Sequence, residues 1–528
     1  MNSPSVVKAP DAEAAPITAP ALLDKVEVLR INAAQRLNPS RRVDFGQFLT
    51  PLPVAKFMAC LCEARRESVR LLDAGAGVGS LTAAVVAELC ARKHRPAKIH
   101  VSAYEIDKTL IESLRETMAL CLKLCLYAGI QFESDIEPVD FIQAAVGSVG
   151  APLFEESARF DLAVLNPPYR KINSDSDIRR MLGSVGIETS NLYTAFVSLV
   201  VRMLASGGEL VAITPRSFCN GPYFRPFRQD LLSRMAFERL HVFECRDILF
   251  GEDDVLQENV IFHAIRRPAS VNTVTLSTSK GVGDPSPTLR RVRPEELVHP
   301  GDPEAFIHIV PDEANQQIAE CMASLDSTLT DLGLSVSTGR VVDFRAKRYL
   351  RSEPQANCAP LIHPCHMKDG LIAWPKPNGK KPNAIAIAPE TLDTLIPKGI
   401  YVVTKRFSAK EEPRRIVAAL YDPAMVSDPL VGFENHLNYY HRDGRGLPMD
   451  LARGLLAYLN STFVDAYFRQ FNGHTQVNAT DLRSLKYPPE AQLEALGATI
   501  RHGLPAQAEL DELVQNHLIG RSTYGPSV

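Results

Sequence analysis

The chain has 528 residues, more than one hydrophobic core usually organises, so two or three domains are expected. Hydrophobic residues make up 45% of it and charged residues 23%, as in soluble globular proteins, and no apolar run is long enough to span a bilayer. The net charge of −3 excludes a uniformly basic protein. The ten cysteines show no framework spacing, which favours a reduced, cytoplasmic protein.

The first part of the chain predicts a tail followed by an α/β domain. Residues 1–25 are assigned to a disordered tail. The first 22 are rich in Ala and Pro and lack the basic region followed by an apolar block that marks a signal peptide. A loop ends at Thr50-Pro51 and a helix follows it. Strand and helix patterns then alternate to about residue 268, which favours a mainly parallel sheet covered on both faces. A Rossmann-like domain is therefore assigned to residues 26–310.

The second part of the chain has short strand patterns, many turns and basic clusters. An α+β domain is assigned to residues 311–490 and a helical segment to residues 491–528. Between residues 336 and 488, Lys and Arg outnumber Asp and Glu by 21 to 14, whereas elsewhere acids outnumber bases by 47 to 37. This asymmetry predicts a polyanion as partner of the second domain, with chance variation between domains as the alternative.

Three acids follow predicted strands and favour an adenosyl ligand. The stretch LLDAGAGVGSL places Asp73, Gly75 and Gly77 between a strand and a helix, where glycines let a ligand approach the backbone closely. Alone, this G-x-G-x-G turn could be purely structural. The next strand ends at Glu105-Ile106, and a carboxylate there can accept both hydroxyls of a ribose. The third strand is predicted to end at Asp135, and an acid at that strand end can accept a hydrogen bond from an adenine amine.

The sequence Asn166-Pro167-Pro168-Tyr169 ends a strongly apolar strand and predicts recognition of an amino group. The Asn166 side chain and the rigidly held Pro167 carbonyl offer two acceptors for the two N–H groups of an amine, and Tyr169 offers a ring face for a planar base. Hydrogen bonds to both N–H groups would localise the nitrogen lone pair for attack on a methyl sulfonium. The alternative is a proline-rich turn that only closes the strand.

Together these segments resemble the gamma-arrangement adenine-N6 DNA methyltransferases of restriction–modification systems, in the subgroup that includes the PstI and BsuBI methyltransferases. The resemblance covers about residues 26–490 and rests on GQFLTPLPVAKFMA, the glycine-rich turn, NPPY, RDILFGEDDVLQENVIF, FENHLNYYH and GHTQVNATDLRSLKYP. It implies S-adenosylmethionine as cofactor, with Thr50 and Pro51 near its methionine end. It also implies that Phe250 packs on a flipped target base, with Phe218 and Tyr223 as alternatives.

The basic clusters of the second domain predict contacts with DNA phosphates and base edges. For any one of these side chains, a solvated surface charge is the alternative. A metal site is not predicted, because the HPCH stretch at residues 363–366 has no second ligand pair at zinc-site spacing. The predicted DNA contacts are Arg345, Lys347, Arg348, Lys405, Arg406, His474, Gln476 and Asn478.

The function expected from these patterns is methylation of the N6 amine of a flipped adenine in double-stranded DNA, by a bacterial protein that is a monomer or a dimer. No nuclease motif is found, so a restriction endonuclease would be encoded separately. The same two-acceptor chemistry would serve cytosine-N4, RNA or a protein glutamine amide. A DNA-binding protein that has lost catalysis is the alternative from another class.

Overall fold

The computed structural model describes residues 17–37, 49–150, 159–243, 259–266, 272–281, 283–284, 286–310, 313–408, 412–425, 429–472, 475–501 and 503–519. It divides into two compact units, residues 1–312 and 313–528, and the division falls close to the boundary expected between 310 and 311. Among the described residues, no helix is both long and apolar enough to cross a membrane.

The first unit alternates strands and helices. Its helices are α1 Ala19–Arg36, α2 Leu52–Cys60, α3 Ser80–Ala91, α4 Lys108–Ala128, α5 Phe141–Val149, α6 Asp177–Ser184, α7 Leu192–Met203, α8 Arg225–Arg234 and α9 Pro294–Leu297. Its strands are β1 Ser68–Ala74, β2 Lys98–Tyr104, β3 Gln131–Glu137, β4 Phe160–Leu165, β5 Leu204–Pro215, β6 Met235–Phe243, β7 Asn259–Arg266, β8 Val274–Ser279 and β9 Thr288–Val292.

These strands form one sheet in the order β3-β2-β1-β4-β5-β7-β6-β8-β9. The strands from β3 to β5 pair in parallel, and β7 runs antiparallel between β5 and β6. Successive residues of β4 enter opposite hydrophobic clusters: Leu162 and Val164 pack on one face of the sheet, Ala163 and Leu165 on the other. Burial on both faces explains why residues 162–165 of β4 are all apolar, and the expected Rossmann-like α/β fold is confirmed.

The N-terminal tail was predicted too long. Helix α1 begins at Ala19, and the Thr18 hydroxyl accepts a hydrogen bond from the backbone N–H of Ala21. Leu22, Leu23 and Val26 are buried in the core of the first unit. The Ala- and Pro-rich composition had suggested that disorder continues to residue 25, but these apolar side chains are packed in the core. Residues 1–16 lie outside the described part of the chain.

The second unit combines short strands with helices. Its helices are α10 Glu313–Ala323, α11 Asp343–Ala346, α12 Met449–Leu459, α13 Thr462–Phe471, α14 Ala479–Ser484, α15 Glu490–Thr499 and α16 Gln507–Val514. Its strands are β10 Ser335–Thr338, β11 Leu350–Arg351, β12 Cys358–Ile362, β13 Met367–Lys368, β14 Leu371–Ile372, β15 Ala384–Ala386, β16 Leu395–Pro397, β17 Tyr401–Lys405, β18 Ala418–Tyr421, β19 Leu430–Phe433 and β20 Leu437–His441. They form two sheets, β10-β20-β17-β18-β14-β13 and β11-β15-β12-β19-β16.

Helix α15 belongs to the body of the second unit, although residues 491–528 were assigned to a separate segment. Helices α12 and α15 approach so closely that a Cβ added at Gly454 would lie 1.8 Å from the Leu493 carbonyl oxygen. A Cβ at Gly497 would lie 1.8 Å from the Asp450 carbonyl oxygen. Glycine on both helices therefore permits backbone-to-backbone packing.

Candidate active site

A cavity of about 190 Å³ lies in the first unit at the carboxyl ends of β1, β2 and β4. Parallel α/β sheets commonly bind ligands at this edge. A smaller cavity of about 30 Å³, lined by Thr50, Gly77 and Asn166 among others, shares several of its lining residues. The lining of the larger one includes Leu49, Gly75, Gly77, Tyr104, Glu105, Ile106, Asp140, Phe141, Ile142, Asn166, Pro168, Arg170 and Phe196.

The glycine-rich turn forms one wall of both cavities. Gly75 and Gly77 have φ angles of 81° and 59°, in the left-handed region where a side chain is strained. A Cβ at Gly77 would also lie 3.0 Å from the Leu49 side chain. The turn is therefore built for close approach of a ligand to the backbone.

Glu105 lies at the end of β2 with its carboxylate fixed by backbone donors. Its Oε2 accepts the N–H of Gly77 at 2.7 Å, and its Oε1 accepts the N–H of Asp107 at 2.7 Å. The residue is buried, and burial raises the pKa of its carboxyl although these hydrogen bonds oppose the shift. Each carboxylate oxygen keeps further acceptor capacity, so the fixed pair can accept two hydroxyl groups of one ligand.

Asp73 is placed behind the glycine-rich turn and does not line either cavity. Its Oδ2 accepts the hydroxyl of Thr82 at 2.6 Å, and its Oδ1 has no hydrogen-bond partner among the described residues. Complete burial raises the pKa of Asp73 to about 7, against the lowering effect of the Thr82 hydrogen bond. Its geometry is that of a residue that supports the turn from within.

The third predicted acid is corrected by the structure. Asp135 lies two positions before the end of β3, and its Oδ2 is 2.7 Å from Nε2 of His100 on the neighbouring strand. The cavity lining includes Asp140 instead, together with Phe141. Asp140 caps α5, since its Oδ1 accepts the N–H of Ile142 at 2.8 Å. The sequence did carry a signal for Asp140, because an acid followed by an apolar helix is a common helix start.

Asn166 follows the last residue of β4 and contacts two hydroxyl groups. Its side-chain nitrogen donates to the Thr50 hydroxyl at 3.1 Å, and its Oδ1 accepts the Tyr169 hydroxyl at 3.0 Å. Pro167 is buried and Pro168 lines the cavity. Pro51 caps the N-terminus of α2 beside Thr50, so the loop before α2 meets the end of β4 at this point.

Tyr169 packs edge-on against Tyr193, with ring centroids 6.1 Å apart. Burial raises the pKa of the Tyr169 hydroxyl well above its ordinary range, so the group is a neutral hydrogen-bond donor. Of the alternative aromatics, Phe218 is buried against Phe227 and Phe262, whereas Tyr223 is 73% exposed. Phe250 lies outside the described residues.

Comparison with known proteins identifies the family. The chain is 43% identical over 494 residues to the Type II methyltransferase M.PstI of Providencia stuartii, an alignment that covers 93% of this chain and 96% of the relative. It is 43% identical over 507 residues to the Type II methyltransferase M.BsuBI of Bacillus subtilis, with coverage of 94% and 98%. The chain belongs to the Type II DNA methyltransferases of restriction–modification systems.

A family model matches part of the chain, and a solved structure shares its fold. Residues 86–250 of the methyltransferase match the family described as Eco57I restriction-modification methylase. The solved structure of the Type IIL restriction–modification enzyme MmeI in complex with DNA has a similar fold, with a TM-score of 0.54 and 13% identity. That alignment covers 96% of this chain and 75% of MmeI.

S-adenosylmethionine is the cofactor of this methyltransferase, as expected from the sequence. The residues around the cavity fit an adenosyl group. The fixed carboxylate of Glu105 suits a ribose diol, and the positive φ angles of Gly75 and Gly77 leave their backbone accessible. Ile106 is 49% exposed at the cavity and offers an apolar surface for a flat ring.

The predicted DNA-contacting residues of the methyltransferase fall in three segments of the second unit. Arg345, Lys347 and Arg348 are exposed on and after α11, next to Phe344, which is 77% exposed. Lys405 ends β17, and the guanidinium of Arg406 donates to the Asn435 carbonyl at 3.3 Å. A short bridge between Phe407 and Gln476 joins the second segment to the third.

In the third segment, Gln476 and Asn478 have structural contacts of their own. The backbone carbonyl of Gln476 accepts the Asn472 side chain at 3.1 Å, and Asn478 caps α14 in a reciprocal arrangement with Asp481. Asn438 donates to the Val477 carbonyl at 2.8 Å. The segment is therefore held rigidly beside Arg406, and His474 lies outside the described residues.

Proposed function

We propose that this methyltransferase modifies the N6 amine of adenine in double-stranded DNA at one short recognition sequence. The observation that carries the proposal is the Asn166 side chain, which is held at the cavity by Thr50 on one side and Tyr169 on the other. An amide carbonyl fixed at this edge of the sheet is an acceptor suited to an amino group.

The proposed cofactor contacts follow from the cavity. Glu105 would accept the ribose hydroxyls, Ile106 and Phe141 would pack against the adenine ring, and Asp140 would accept its amine. Gly75 and Gly77 would contact the cofactor through their backbone, with Thr50 and Pro51 near its methionine end. When bound, S-adenosylmethionine supplies the electrophilic methyl group.

The proposed role of the NPPY segment is to orient the target amine. Asn166 Oδ1 and the Pro167 carbonyl would each accept one N–H, which localises the nitrogen lone pair. Oδ1 has two acceptor sites, so it can take an N–H of the base while it still accepts the Tyr169 hydroxyl. The ring of Tyr169 would turn from Tyr193 to stack on the base, and Phe250 would pack on its other face.

An adenine inside a duplex cannot enter a cavity of this kind, so we propose that the target base is flipped out. Unstacking costs a few kcal/mol, and aromatic stacking can recover roughly 1–3 kcal/mol of it. The second unit would hold the duplex through the two basic segments around Arg345 and Lys405 and through the polar segment that contains Gln476 and Asn478. The cell's own DNA in the bacterial cytoplasm would be the substrate, and a separately encoded endonuclease would be the partner activity.

The experiment that tests this proposal is single-molecule sequencing of DNA from cells that express the chain or its Asn166→Ala variant. N6-methyladenine at one short motif, present with the unchanged chain and missing with the variant, is the expected result. Methylcytosine at N4 would redirect the proposal to the other exocyclic amine. Unmodified DNA with both chains would contradict DNA methylation and leave RNA or a protein amide as substrate.

A further inference from the structure

A second cluster of polar side chains lies in the second unit, whereas the residues that line the cavity belong to the first unit. It consists of Asp343, His363 and Glu434. Nε2 of His363 lies 3.9 Å from Oδ1 of Asp343, and Nδ1 of His363 lies 3.9 Å from Oε2 of Glu434. One nitrogen or oxygen atom from each residue can be chosen so that all three lie within 4.8 Å of one another.

The sheet brings these three residues together from distant parts of the chain. Strands β12 and β19 pair in parallel, and the first residues after them are His363 and Glu434. The backbone N–H of Glu434 donates to the Ile362 carbonyl at 3.0 Å, and that of Val341 donates to the Phe433 carbonyl at 3.1 Å. The segment that begins α11 with Asp343 is thereby placed against the same strand end.

The imidazole of His363 is completely buried, and within the described part of the chain neither of its ring nitrogens has a hydrogen-bond partner. Oδ1 of Asp343 is likewise a buried atom without a hydrogen-bond partner among the described residues. A neutral imidazole carries only one N–H, so one nitrogen lone pair faces a carboxylate oxygen. Unmatched buried groups of this kind are costly unless a ligand satisfies them.

The surrounding charged and titratable groups contact both carboxylates of the cluster. Lys381 Nζ lies 2.8 Å from Oδ2 of Asp343, and His436 Nδ1 lies 2.5 Å from Oε1 of Glu434. The backbone N–H of His436 reaches Oε2 of Glu434 at 3.0 Å. Nδ1 of His366 accepts the backbone N–H of His363, and its other ring nitrogen pairs with Asn383. These contacts orient both carboxylates and leave the imidazole of His363 between them.

We propose that Asp343, His363 and Glu434 bind a divalent transition-metal ion of the zinc type, with water completing its coordination. One imidazole nitrogen and two carboxylate oxygens are a donor set that zinc accepts. An ion binds only one of the two ring nitrogens of His363, so only one of the two 3.9 Å contacts joins two of its ligand atoms. The three ligand atoms lie within 4.8 Å of one another, and bonds of roughly 2.0–2.2 Å bring tetrahedral ligand atoms to about 3.4 Å apart, so side-chain shifts of about 1–1.5 Å would suffice. The ion would replace the contact between a nitrogen lone pair and a carboxylate by an attractive bond to each of the three residues.

The ion would also position a predicted DNA-contacting segment, a consequence that rests on the proposed function. Asp343 is the first residue of α11, which carries Arg345 and is followed by Lys347 and Arg348. Metal bonds from Asp343 to the residues after β12 and β19 would fix this short helix to the sheet. Binding of the ion itself requires neither DNA nor methyl transfer.

The test uses the full chain, stripped with a chelator and then titrated with Zn²⁺ or with Co²⁺ as a spectroscopic probe. The expected result is one equivalent of metal by elemental analysis, a visible Co²⁺ absorption band and a Zn²⁺-dependent rise in Tm. Asp343→Asn, at a half-buried position, and Glu434→Gln should abolish the band and the rise. Cys365→Ser, at an exposed thiol of the HPCH stretch, should preserve both.

Two outcomes would overturn the proposal. The stripped chain could show no stoichiometric binding and no Tm change, which would assign the cluster to bridging water. Alternatively, binding could survive in Asp343→Asn and be lost in Cys365→Ser, which would place the metal on the thiol. Neither outcome depends on adenine methylation, so failure of the metal site and failure of the proposed function remain distinguishable.

Discussion

The side-chain nitrogen of Asn166 lies 3.1 Å from the hydroxyl oxygen of Thr50, a residue 116 positions earlier in the chain. This contact joins the loop before α2 to the end of β4 and turns the amide so that Oδ1 faces away from Thr50. The orientation of the proposed amine acceptor is therefore set by a residue outside the NPPY segment.

Replacement of Thr50 by Val should lower the methylation rate constant kcat about tenfold, since one hydrogen bond that orients Asn166 is lost. Because Thr50 is also proposed to lie near the methionine end of the cofactor, the Michaelis constant for the cofactor is measured alongside kcat. Thr50→Ser, which retains the hydroxyl, is the matched control and should keep most of the activity. Steady-state kinetics with labelled cofactor measure both parameters, and equal rates for the Val and Ser variants would contradict the orienting role.

Replacement of Glu105 by Gln should weaken S-adenosylmethionine binding roughly tenfold to hundredfold. The amide puts an N–H₂ group where one carboxylate oxygen accepts a backbone N–H and would accept a ribose hydroxyl. Asp135→Asn is the control, because Asp135 pairs with His100 and lies outside the cavity lining. Calorimetric titration gives both dissociation constants; a larger loss in Asp135→Asn would restore the role first predicted for that residue.

The buried carboxyl of Asp73 should make stability depend on pH. Its pKa is raised from 3.8 to about 7, so between these values the folded chain binds more protons than the unfolded chain. The stabilisation is complete below about pH 4 and is lost as pH rises through about 7, by up to about 4 kcal/mol. Asp73→Asn removes this titration. Denaturant unfolding from pH 4 to 8 should show the free energy of unfolding of the unchanged chain falling with pH relative to that of Asp73→Asn. A pH-independent difference between the two free energies would contradict the shifted pKa.

Replacement of Gly454 by Ala should destabilise the second unit by roughly 1–3 kcal/mol, because the new Cβ would overlap the Leu493 carbonyl oxygen. Trp374, the only tryptophan, lies in the second unit, so its fluorescence identifies the unfolding transition that moves. Gly147→Ala in α5 is the control, since no described atom lies within 4 Å of the added Cβ. Scanning calorimetry should show a lower Tm for Gly454→Ala and no lowering of Tm for Gly147→Ala. Equal changes of Tm in the two variants would contradict the close contact between α12 and α15.

The sequence predicted the parts of the active site that local patterns encode. β4 is apolar because both its faces are buried, and the turn at Gly75 and Gly77 needs positive φ angles, so both leave a signal in the residues themselves. The position of Asp135 depended on where β3 ends. The strand continues to Glu137, and side-chain alternation sends Asp135 to His100 on the face of the sheet.

Contacts between distant segments left no such signal. His363 alone resembles part of a weak metal motif, and only the pairing of β12 with β19 brings Glu434 beside it. Similarly, the sequence predicts Asn478 as a DNA contact, and the structure adds that Asn478 also begins a helix beside Asp481. Pairing register and capping partners are properties of the folded chain, so composition and spacing could not determine them.

The most direct test of the central claim is nucleoside mass spectrometry of unmethylated DNA after incubation with the purified chain and isotopically labelled S-adenosylmethionine. Labelled N6-methyldeoxyadenosine is expected with the unchanged chain and none with Asn166→Ala, although the variant still binds the cofactor. Labelled N4-methyldeoxycytidine, or equal labelling by the two chains, would contradict the assignment of Asn166 as the acceptor that orients an adenine amine.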